Sequence, residues 1–155
     1  AASDVYKRQP LTELQNTLNT AMTNVRTSVH DLHDDAIDLE STLWEIIDGV
    51  NTTKISLEYD VEGTLPNPIK YAFIAIVKEA VNNIQKHSNA KNASIRVCMH
   101  PGFYLLSIAD NGTKISTTDS RGIGLSNMEE RVRALNGVIG FDTENGFKIT
   151  IIIRR

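Results

Sequence analysis

The spacing of the hydrophobic residues changes once along this chain of 155 residues, near residue 50, and the change limits the folds that the chain can adopt. Before it, apolar residues recur at alternating intervals of three and four. This period predicts one long helix from Leu11 to Ile47 with a single apolar seam. The seam residues are Leu11, Leu14, Leu18, Met22, Val25, Val29, Leu32, Ala36 and Leu39. One helix cannot bury such a stripe alone, so we expect partner helices; a helix folded back on its own domain is the alternative.

Strand and helix patterns alternate after residue 50. The stretch "KISLEYDV" predicts a strand, and a helical period predicts a helix from Asn67 to His87. Two hairpins are predicted, "ASIRVCMH" with "FYLLSIAD" and "VIGFDT" with "FKITIII". Between them, "NGTKISTTDSRG" predicts a mobile loop and "GLSNMEERVRALNG" a short helix closed by Gly137. We therefore expect an α/β (α+β) two-layer sandwich with a mixed, mostly antiparallel sheet and helices on one face.

The composition excludes several classes of function. Sixteen Lys and Arg against nineteen Asp and Glu give a net charge of −3, without a basic cluster, so nucleic acid is not an expected partner. Cys98 is the only cysteine, which excludes an intrachain disulfide and suits a reducing cytosol. No apolar run is long enough to span a membrane, so we expect a cytoplasmic protein or the cytoplasmic portion of a membrane-anchored one. Residues 1–9 continue no later pattern and stay unassigned, with a foreign origin left open.

One edge of the predicted helix from Asn67 to His87 is polar. Glu79, Asn83 and His87 recur every four residues and therefore share this edge, with Lys86 beside them. An amide oxygen suits Mg²⁺, which prefers oxygen ligands and keeps waters and phosphate oxygens in its shell. Lys86 and His87 could reach the phosphates that such a metal would bring. The alternative is an ordinary solvated helix face.

Two glycine motifs follow in the chain. In "ADNG", Asp110 ends a predicted strand, where its carboxylate could accept a hydrogen bond from an amine, and Gly112 would let the backbone approach a flat ring. In "RGIGLSNMEERV", Gly122 and Gly124 open a predicted helix, whose N-terminal N–H groups could bind phosphate. Taken singly, the first motif is most often a turn, and the second lacks the third glycine of a dinucleotide fingerprint.

The three motifs, in this order, resemble the ATP-binding domain of sensor histidine kinases, in the superfamily shared with DNA gyrase and the MutL repair proteins. "KEAVNNIQKHSNA" resembles the N box, "DNG" the first glycine box, and "GIGLSNMEERV" the second. The resemblance is closest to the two-component kinases that pair with response regulators of the LuxR or NarL type. It extends from about Leu11 to the C-terminus.

The resemblance assigns roles along the N box. Asn83 would hold Mg²⁺, while Lys86 and His87 would contact phosphate. Glu79 stands where the ATPases of the superfamily keep a carboxylate that polarises water, so it is the candidate catalytic residue. The implied cofactor is Mg²⁺, and ATP is the implied substrate.

The two glycine boxes receive roles in the same way. Asp110 would bind the adenine base. Gly112, Gly122 and Gly124 would hinge a lid over the nucleotide, and Leu125 belongs to the same nucleotide-binding box.

Three positions depart from the family pattern. Lys114 stands where the first box often has a second glycine, and Arg154 replaces a terminal proline. Phe147 stands where the family usually has a threonine that supports the adenine-binding aspartate through water. Thr150 cannot replace that threonine, because an offset of three residues puts it on the other face of a strand.

The N-terminal seam also matches a part of these kinases. Residues 10–49 resemble the second helix of the dimerisation hairpin, and residues 50–155 the ATP-binding catalytic domain. The phosphoacceptor histidine belongs to the first helix of that hairpin, which would precede residue 10. His33, which an acidic residue follows, is the alternative acceptor. A histidine on a helix surface is the simpler interpretation of both His33 and His30.

The implied function is the ATP-binding catalytic part of a sensor histidine kinase, which transfers the γ-phosphoryl of ATP to a histidine and from there to a response regulator. The implied partners are a second protomer, bound through the N-terminal helix, and that regulator. Two alternatives stay open. One is a serine kinase of the anti-sigma-factor type in the same superfamily, and the other is a nucleotide-gated dimerisation module without catalysis.

Overall fold

The computed structural model describes residues 13–22, 37–113 and 119–155, with side chains from residue 122 in the last range. The chain divides into two compact units, residues 1–37 and residues 38–155. In the first unit, residues 13–22 form helix α1. Leu14, Leu18 and Met22 lie four residues apart on this helix and are 65%, 60% and 49% exposed. The apolar seam is therefore uncovered along this part of the first unit.

The continuous helix predicted from Leu11 to Ile47 is wrong at Ile37 and Asp38, which are not helical. Asp38 has an extended backbone and caps a new helix, because its Oδ1 accepts a hydrogen bond from the Glu40 N–H at 3.1 Å. Its Oδ2 accepts a second hydrogen bond from the Ser41 hydroxyl at 2.8 Å. An aspartate that bonds the first turn in this way starts a helix, although the apolar spacing continues through it.

The second unit contains three helices and five strands among its described residues. The helices are α2 (Leu39–Asp48), α3 (Asn67–His87) and α4 (Asp119–Ala134), and the strands are β1 (Lys54–Asp60), β2 (Asn92–Met99), β3 (Phe103–Asp110), β4 (Val138–Asp142) and β5 (Phe147–Arg154). The strands form one sheet in the order β1-β2-β3-β5-β4. Only β1 and β2 run parallel, because α3 connects them as a crossover. The other neighbouring pairs are antiparallel, so the predicted fold class is confirmed.

Burial alternates along the strands and defines two faces of the sheet. On one face, side chains of the central strands are fully buried, among them Val97, Leu106 and Ile151. Helices α2, α3 and α4 contact strands β1, β3 and β4, so they cover this face. The other face carries polar residues, including an exposed ion pair of Arg96 and Glu58 at 3.2 Å. Such a pair stabilises little.

Helix α2 packs within the second unit. Leu39, Leu43 and Ile47 are buried, and α2 contacts both α3 and β1. Burial raises the pKa of Tyr59 on β1 above its usual value, and the negative charges of Asp38 and Glu40 raise it further. The second helix of the dimerisation hairpin, which the sequence assigns to residues 10–49, therefore shares α2 with the second unit.

Helix α3 has the predicted bounds. Its apolar stripe is buried, with Phe73 and Val77 at the centre of the core. Ser88 follows with an extended backbone, and its N–H closes the last turn on the Ile84 carbonyl at 3.1 Å. Among the described helices, none is both long and apolar enough to cross a membrane.

Helix α4 begins earlier than predicted, and Gly137 closes it as predicted but with a different residue in the left-handed conformation. The helix begins at Asp119, so Gly122 and Gly124 lie inside it rather than at its start. At its other end the left-handed residue is Asn136, with φ 54°, not Gly137. Gly137 donates its N–H to the Val132 carbonyl at 2.9 Å and completes a Schellman motif. A Cβ at Gly137 would approach the Ile153 side chain to 2.8 Å, so close packing is what requires glycine there.

Candidate functional site

One small pocket brings together Asn83 from the N box and Asp110 from the first glycine box. It lies between α3, β3 and β5, and its other walls are mostly apolar: Ala80, Ile84, Ile108, Phe147 and Ile149. Asn83 is 4% exposed and Asp110 is 7% exposed, which is rare for such polar side chains. An apolar pocket with a few convergent polar groups is the usual form of a small-molecule site.

The Asn83 side chain is not satisfied by the protein. Its Nδ2 is buried and has no hydrogen-bond partner among the described residues. Leaving a buried amide group unpaired costs about 1–3 kcal/mol, so native proteins rarely keep one without a reason. A ligand in the pocket would supply the missing partner. Since Asn83 sits one helical turn after Glu79, the orphaned amide lies on the polar edge that the sequence predicts.

The side chains at this end of the pocket limit which metal could bind there. The described residues contain no cluster of three or more His, Cys, Asp or Glu side chains that would hold a transition metal. The unpartnered Nδ2 of Asn83 is a donor and cannot bind a cation, so its partner would be a ligand acceptor such as a phosphate oxygen. The side-chain oxygen of the same amide is a ligand type that suits Mg²⁺, because Mg²⁺ takes one or two protein oxygens and completes its shell with phosphate and water. Asn83 therefore fits the ion that the family resemblance implies.

Asp110 is held on one side only. Its Oδ1 accepts hydrogen bonds from the Gly112 N–H at 2.8 Å and from the Ser88 hydroxyl at 3.3 Å. Its Oδ2 accepts none from the described part of the chain. The carboxylate thus presents one pure acceptor to the pocket.

Two glycines let the backbone close around Asp110. Gly146 has φ 95°, and a Cβ there would collide with the Asp110 carbonyl oxygen. A Cβ at Gly112 would collide with the Ser88 hydroxyl and lie 2.9 Å from Asp110 Oδ1. A side chain at either position would displace the carboxylate.

Glu79 and the second glycine box meet beside the pocket. A Cβ at Gly124 would collide with Glu79 Oε1 and lie 3.0 Å from its carboxyl carbon, so the carboxylate rests against the backbone of α4. A Cβ at Gly122 would meet no atom within 4 Å. Only the second of these two glycines is therefore required by packing in this arrangement.

The remaining predicted site residues lie outside the pocket lining. Lys86 is exposed and His87 half-buried in the last turn of α3, and Leu125 is half-buried on α4. Their contacts with a nucleotide stay predictions. Lys114 lies outside the described residues.

The departure at Phe147 changes the pocket itself. Phe147 pairs in register with Asp110 and lines the pocket, with its ring 6.0 Å from that of Phe141. Thr150 pairs with Ser107 on the opposite face, as the strand period predicts. An apolar ring therefore stands where a threonine hydroxyl is usual in the family.

Sequence reasoning missed three polar residues around Asp110, namely Ser88, Asn89 and Asn111. Asn111 Oδ1 accepts hydrogen bonds from the N–H groups of Lys91 and Asn92, both at 3.0 Å. Asn89 Oδ1 accepts one from the Thr113 N–H at 2.9 Å. For Ser88 and Asn89, the sequence does offer a signal. They belong to the polar run "SNAKN" directly after the end of a helix, where polar side chains commonly hydrogen-bond to the backbone.

Comparison with known proteins decides the family. The family model described as "Histidine kinase-, DNA gyrase B-, and HSP90-like ATPase" matches residues 71–155, more than half of the chain. The chain belongs to this ATPase family. The matched range includes both pocket residues, Asn83 and Asp110.

Individual relatives within the family are sensor kinases by name. The chain is 32% identical over 149 residues to the sensor histidine kinase DesK of Bacillus subtilis, which covers 92% of this chain and 40% of that protein. It is 27% identical over 150 residues to the histidine-protein kinase/phosphatase DegS of Brevibacillus brevis, which covers 91% of this chain and 39% of that protein. The chain thus spans about two fifths of the length of these relatives.

A solved structure supports the fold of the chain. The histidine kinase domain of the blue-light activated kinase of Erythrobacter litoralis superposes with a TM-score of 0.61 at 19% identity. The superposition covers 74% of this chain and 58% of that one.

Proposed function

We propose that this chain is the ATP-binding catalytic part of a sensor histidine kinase in a two-component system. The observation that carries the proposal is the pocket in which an unpartnered buried amide, Asn83, and a half-satisfied buried carboxylate, Asp110, share apolar walls. The similarity to named sensor kinases along almost the whole chain supports the choice of a histidine kinase within the wider ATPase family.

The Asp110 end of the pocket suits the adenine base. The free Oδ2 would accept a hydrogen bond from the amino group at position 6 of the ring. The apolar side chains of Ile84, Ile108 and Ile149 would cover the ring and exclude water. A bond to a charged acceptor in such a place contributes more than one between neutral groups.

The Asn83 end of the pocket suits the phosphates. Asn83 would hold Mg²⁺, which supplies charge neutralisation for phosphoryl transfer. Lys86 and His87, in the last turn of the same helix, would bind phosphate oxygens. The work of these side chains is to position the nucleotide, because phosphoryl transfer depends mainly on alignment and charge.

Glu79 would act next to the reacting phosphate. Its carboxylate extends from α3 to the backbone of α4 at Gly124. We propose that its carboxylate orients the attacking group. Gly122 and Gly124 would hinge the start of α4 as a lid, with Leu125 in the same segment. Gly112 would hinge the other end of the lid.

The hinge proposal predicts an effect of Gly122→Ala. Glycine inside a helix costs about 0.5–1 kcal/mol relative to alanine, and a Cβ at this position meets nothing. The substitution should slow amide hydrogen exchange at the start of α4 by roughly twofold to fivefold. If binding requires this helix to open, nucleotide affinity should fall by a similar factor.

Gly124→Ala is the matched comparison for Gly122→Ala, since its Cβ would displace the Glu79 carboxylate. The free energy of nucleotide binding that Gly124→Ala loses should exceed the free energy of helix stability that it gains. Slower exchange in Gly122→Ala with unchanged affinity would contradict the hinge.

The whole protein would work as a dimer. The exposed apolar residues Leu14, Leu18 and Met22 of α1 support pairing of this arm with a second protomer. The phosphoryl group would pass to a histidine in a segment outside these residues and then to a response regulator of the NarL type. We place this part of the protein in the cytoplasm, where ATP and the regulator are found.

Phosphorylation tests the proposed function directly. We expect this chain to bind γ-labelled Mg·ATP without labelling itself, because the acceptor must approach the γ-phosphate within about 3–3.5 Å and nearly in line. An extended protein that includes an upstream helix with a His-Asp box should gain phosphorylation that is labile in acid and stable in base. Asn83→Ala in that protein should prevent it.

His33 and His30 lie outside the described residues, and they provide the contrary outcome. Self-labelling of this chain that His33→Gln abolishes and His30→Gln keeps would overturn the placement of the acceptor. Acid-stable labelling of a serine would favour the anti-sigma-factor alternative.

A further inference from the structure

The link between α3 and β2 is bonded to the end of β3 and to the segment that follows it. Ser88, Asn89 and the Lys91 N–H lie on the link, and they bond to Asp110, Thr113 and Asn111. The bonds include both polar atoms of the Asn89 side chain, at 2.9 Å to the Thr113 N–H and at 3.1 Å to its hydroxyl. Most of these contacts use side chains, so they are separate from the hydrogen-bond ladder of the sheet.

Ser88 holds a fixed place within this link. Its backbone N–H closes the last turn of α3 on the Ile84 carbonyl at 3.1 Å. Its hydroxyl oxygen accepts a hydrogen bond from the Ala90 N–H at 3.0 Å. The one hydroxyl proton is then directed to Asp110 Oδ1 at 3.3 Å, a long hydrogen bond. The absence of a side chain at Gly112 leaves room for it, because a Cβ there would collide with the Ser88 hydroxyl.

The Ser88 hydroxyl and the Gly112 N–H both bond to one oxygen of the Asp110 carboxylate and leave the other available. Oδ1 is occupied by the Ser88 hydroxyl and the Gly112 N–H, and this fixes the plane of the group. Oδ2 is then the acceptor available to a ligand. A fixed acceptor in a buried, mostly apolar pocket favours a ring that offers a donor and disfavours one that offers a carbonyl oxygen at the same position.

We propose that Ser88 is a positioning residue that sets base selectivity, because it fixes Asp110 so that Oδ2 selects a purine nucleotide with an amino group at position 6. This inference rests on the proposed function, because it assumes that the pocket binds ATP. Ser88 does not touch the nucleotide; it acts through Asp110.

The test compares two nucleotides that differ at position 6. ATP carries an amino group there, and inosine triphosphate carries a carbonyl. Both are titrated by calorimetry, with Mg²⁺ present, into the wild type, Ser88→Ala and Ser88→Thr. Ser88→Ala should lower the ratio of ATP affinity to inosine triphosphate affinity by roughly threefold to tenfold. Ser88→Thr keeps the hydroxyl, and its extended backbone suits threonine, so the ratio should be retained.

Asn89→Ala is the control for a merely structural role. It breaks the link at Thr113 and leaves both donors of Asp110 in place, so both affinities should change by the same factor. Ser88→Cys keeps the shape of serine with a weaker donor and should lower the ratio as alanine does, which covers the case of a poorly folded alanine variant.

Two negative results have different meanings. A selective wild type whose ratio is unchanged in Ser88→Ala and Ser88→Cys overturns the inference and leaves the proposed function intact. A wild type that binds neither nucleotide overturns the proposed function, and the inference with it.

Discussion

Asp110→Asn should weaken binding of ATP and ADP alike by roughly tenfold to a hundredfold. The substitution removes a charge-assisted hydrogen bond to the base in a buried pocket, which is worth about 1.5–3 kcal/mol. It also turns an acceptor pair into an acceptor and a donor, so the preference for ATP over GTP should shrink. The asparagine oxygen can still accept from the Gly112 N–H, so the fold should persist. Calorimetric titration with the three nucleotides measures the effect.

Asp60→Asn is the control for Asp110→Asn, because it removes the same charge from an exposed position on β1. Its affinities should equal those of the wild type. A wild type that binds GTP as tightly as ATP would contradict the role of Asp110 in reading the base.

Gly146→Ala should both destabilise the protein and abolish nucleotide binding. The backbone at Gly146 is left-handed, and the added Cβ would collide with the carbonyl oxygen of Asp110. A residue forced into this conformation costs about 1–3 kcal/mol, and overpacking adds a similar amount, so we expect a loss of roughly 2–6 kcal/mol. Relief of the collision must move Asp110 or β5, and both line the pocket.

Gly140→Ala is the matched control for Gly146→Ala. Gly140 lies in the neighbouring strand β4, and a Cβ there meets nothing within 4 Å. Its free energy of unfolding should be unchanged or slightly raised, because alanine restricts the unfolded chain. Denaturant unfolding of both variants gives the comparison. Wild-type stability and affinity in Gly146→Ala would show that Asp110 does not depend on this close approach.

The elements that could be predicted from the sequence are those with a strong local signal. Helix α3 has the predicted bounds because its apolar stripe is long and prolines mark its start, Pro66 at the N-cap and Pro68 in the first turn. The predicted start of α4 at Gly124 is wrong, because a glycine inside a helix costs only about 1 kcal/mol and so does not force a helix boundary. The helix start at Asp38 departs from the prediction for the opposite reason, since a polar N-cap residue lies within an apolar period that continues through it.

The site could be predicted in part for the same reason. Asn83 and Asp110 belong to motifs that can be recognised along the chain, and the structure brings both to one pocket. Ser88 bonds to a residue 22 positions away, and Phe147 faces Asp110 only through the register of β3 and β5. Contacts of this kind depend on tertiary structure, and no local pattern encodes them.

The central claim is that the orphaned amide of Asn83 belongs to a Mg·ATP site, and titration of one substitution tests it most directly. We expect the wild type to bind ATP in the micromolar range with Mg²⁺ and far more weakly after chelation. Asn83→Ala should lose this dependence on Mg²⁺ and most of the affinity, with no loss of fold, because the amide has no partner to lose among the described residues. Asn82→Ala, on the neighbouring half-buried position, should bind as the wild type does. Equal affinity and equal Mg²⁺ dependence in the wild type and Asn83→Ala would contradict the claim.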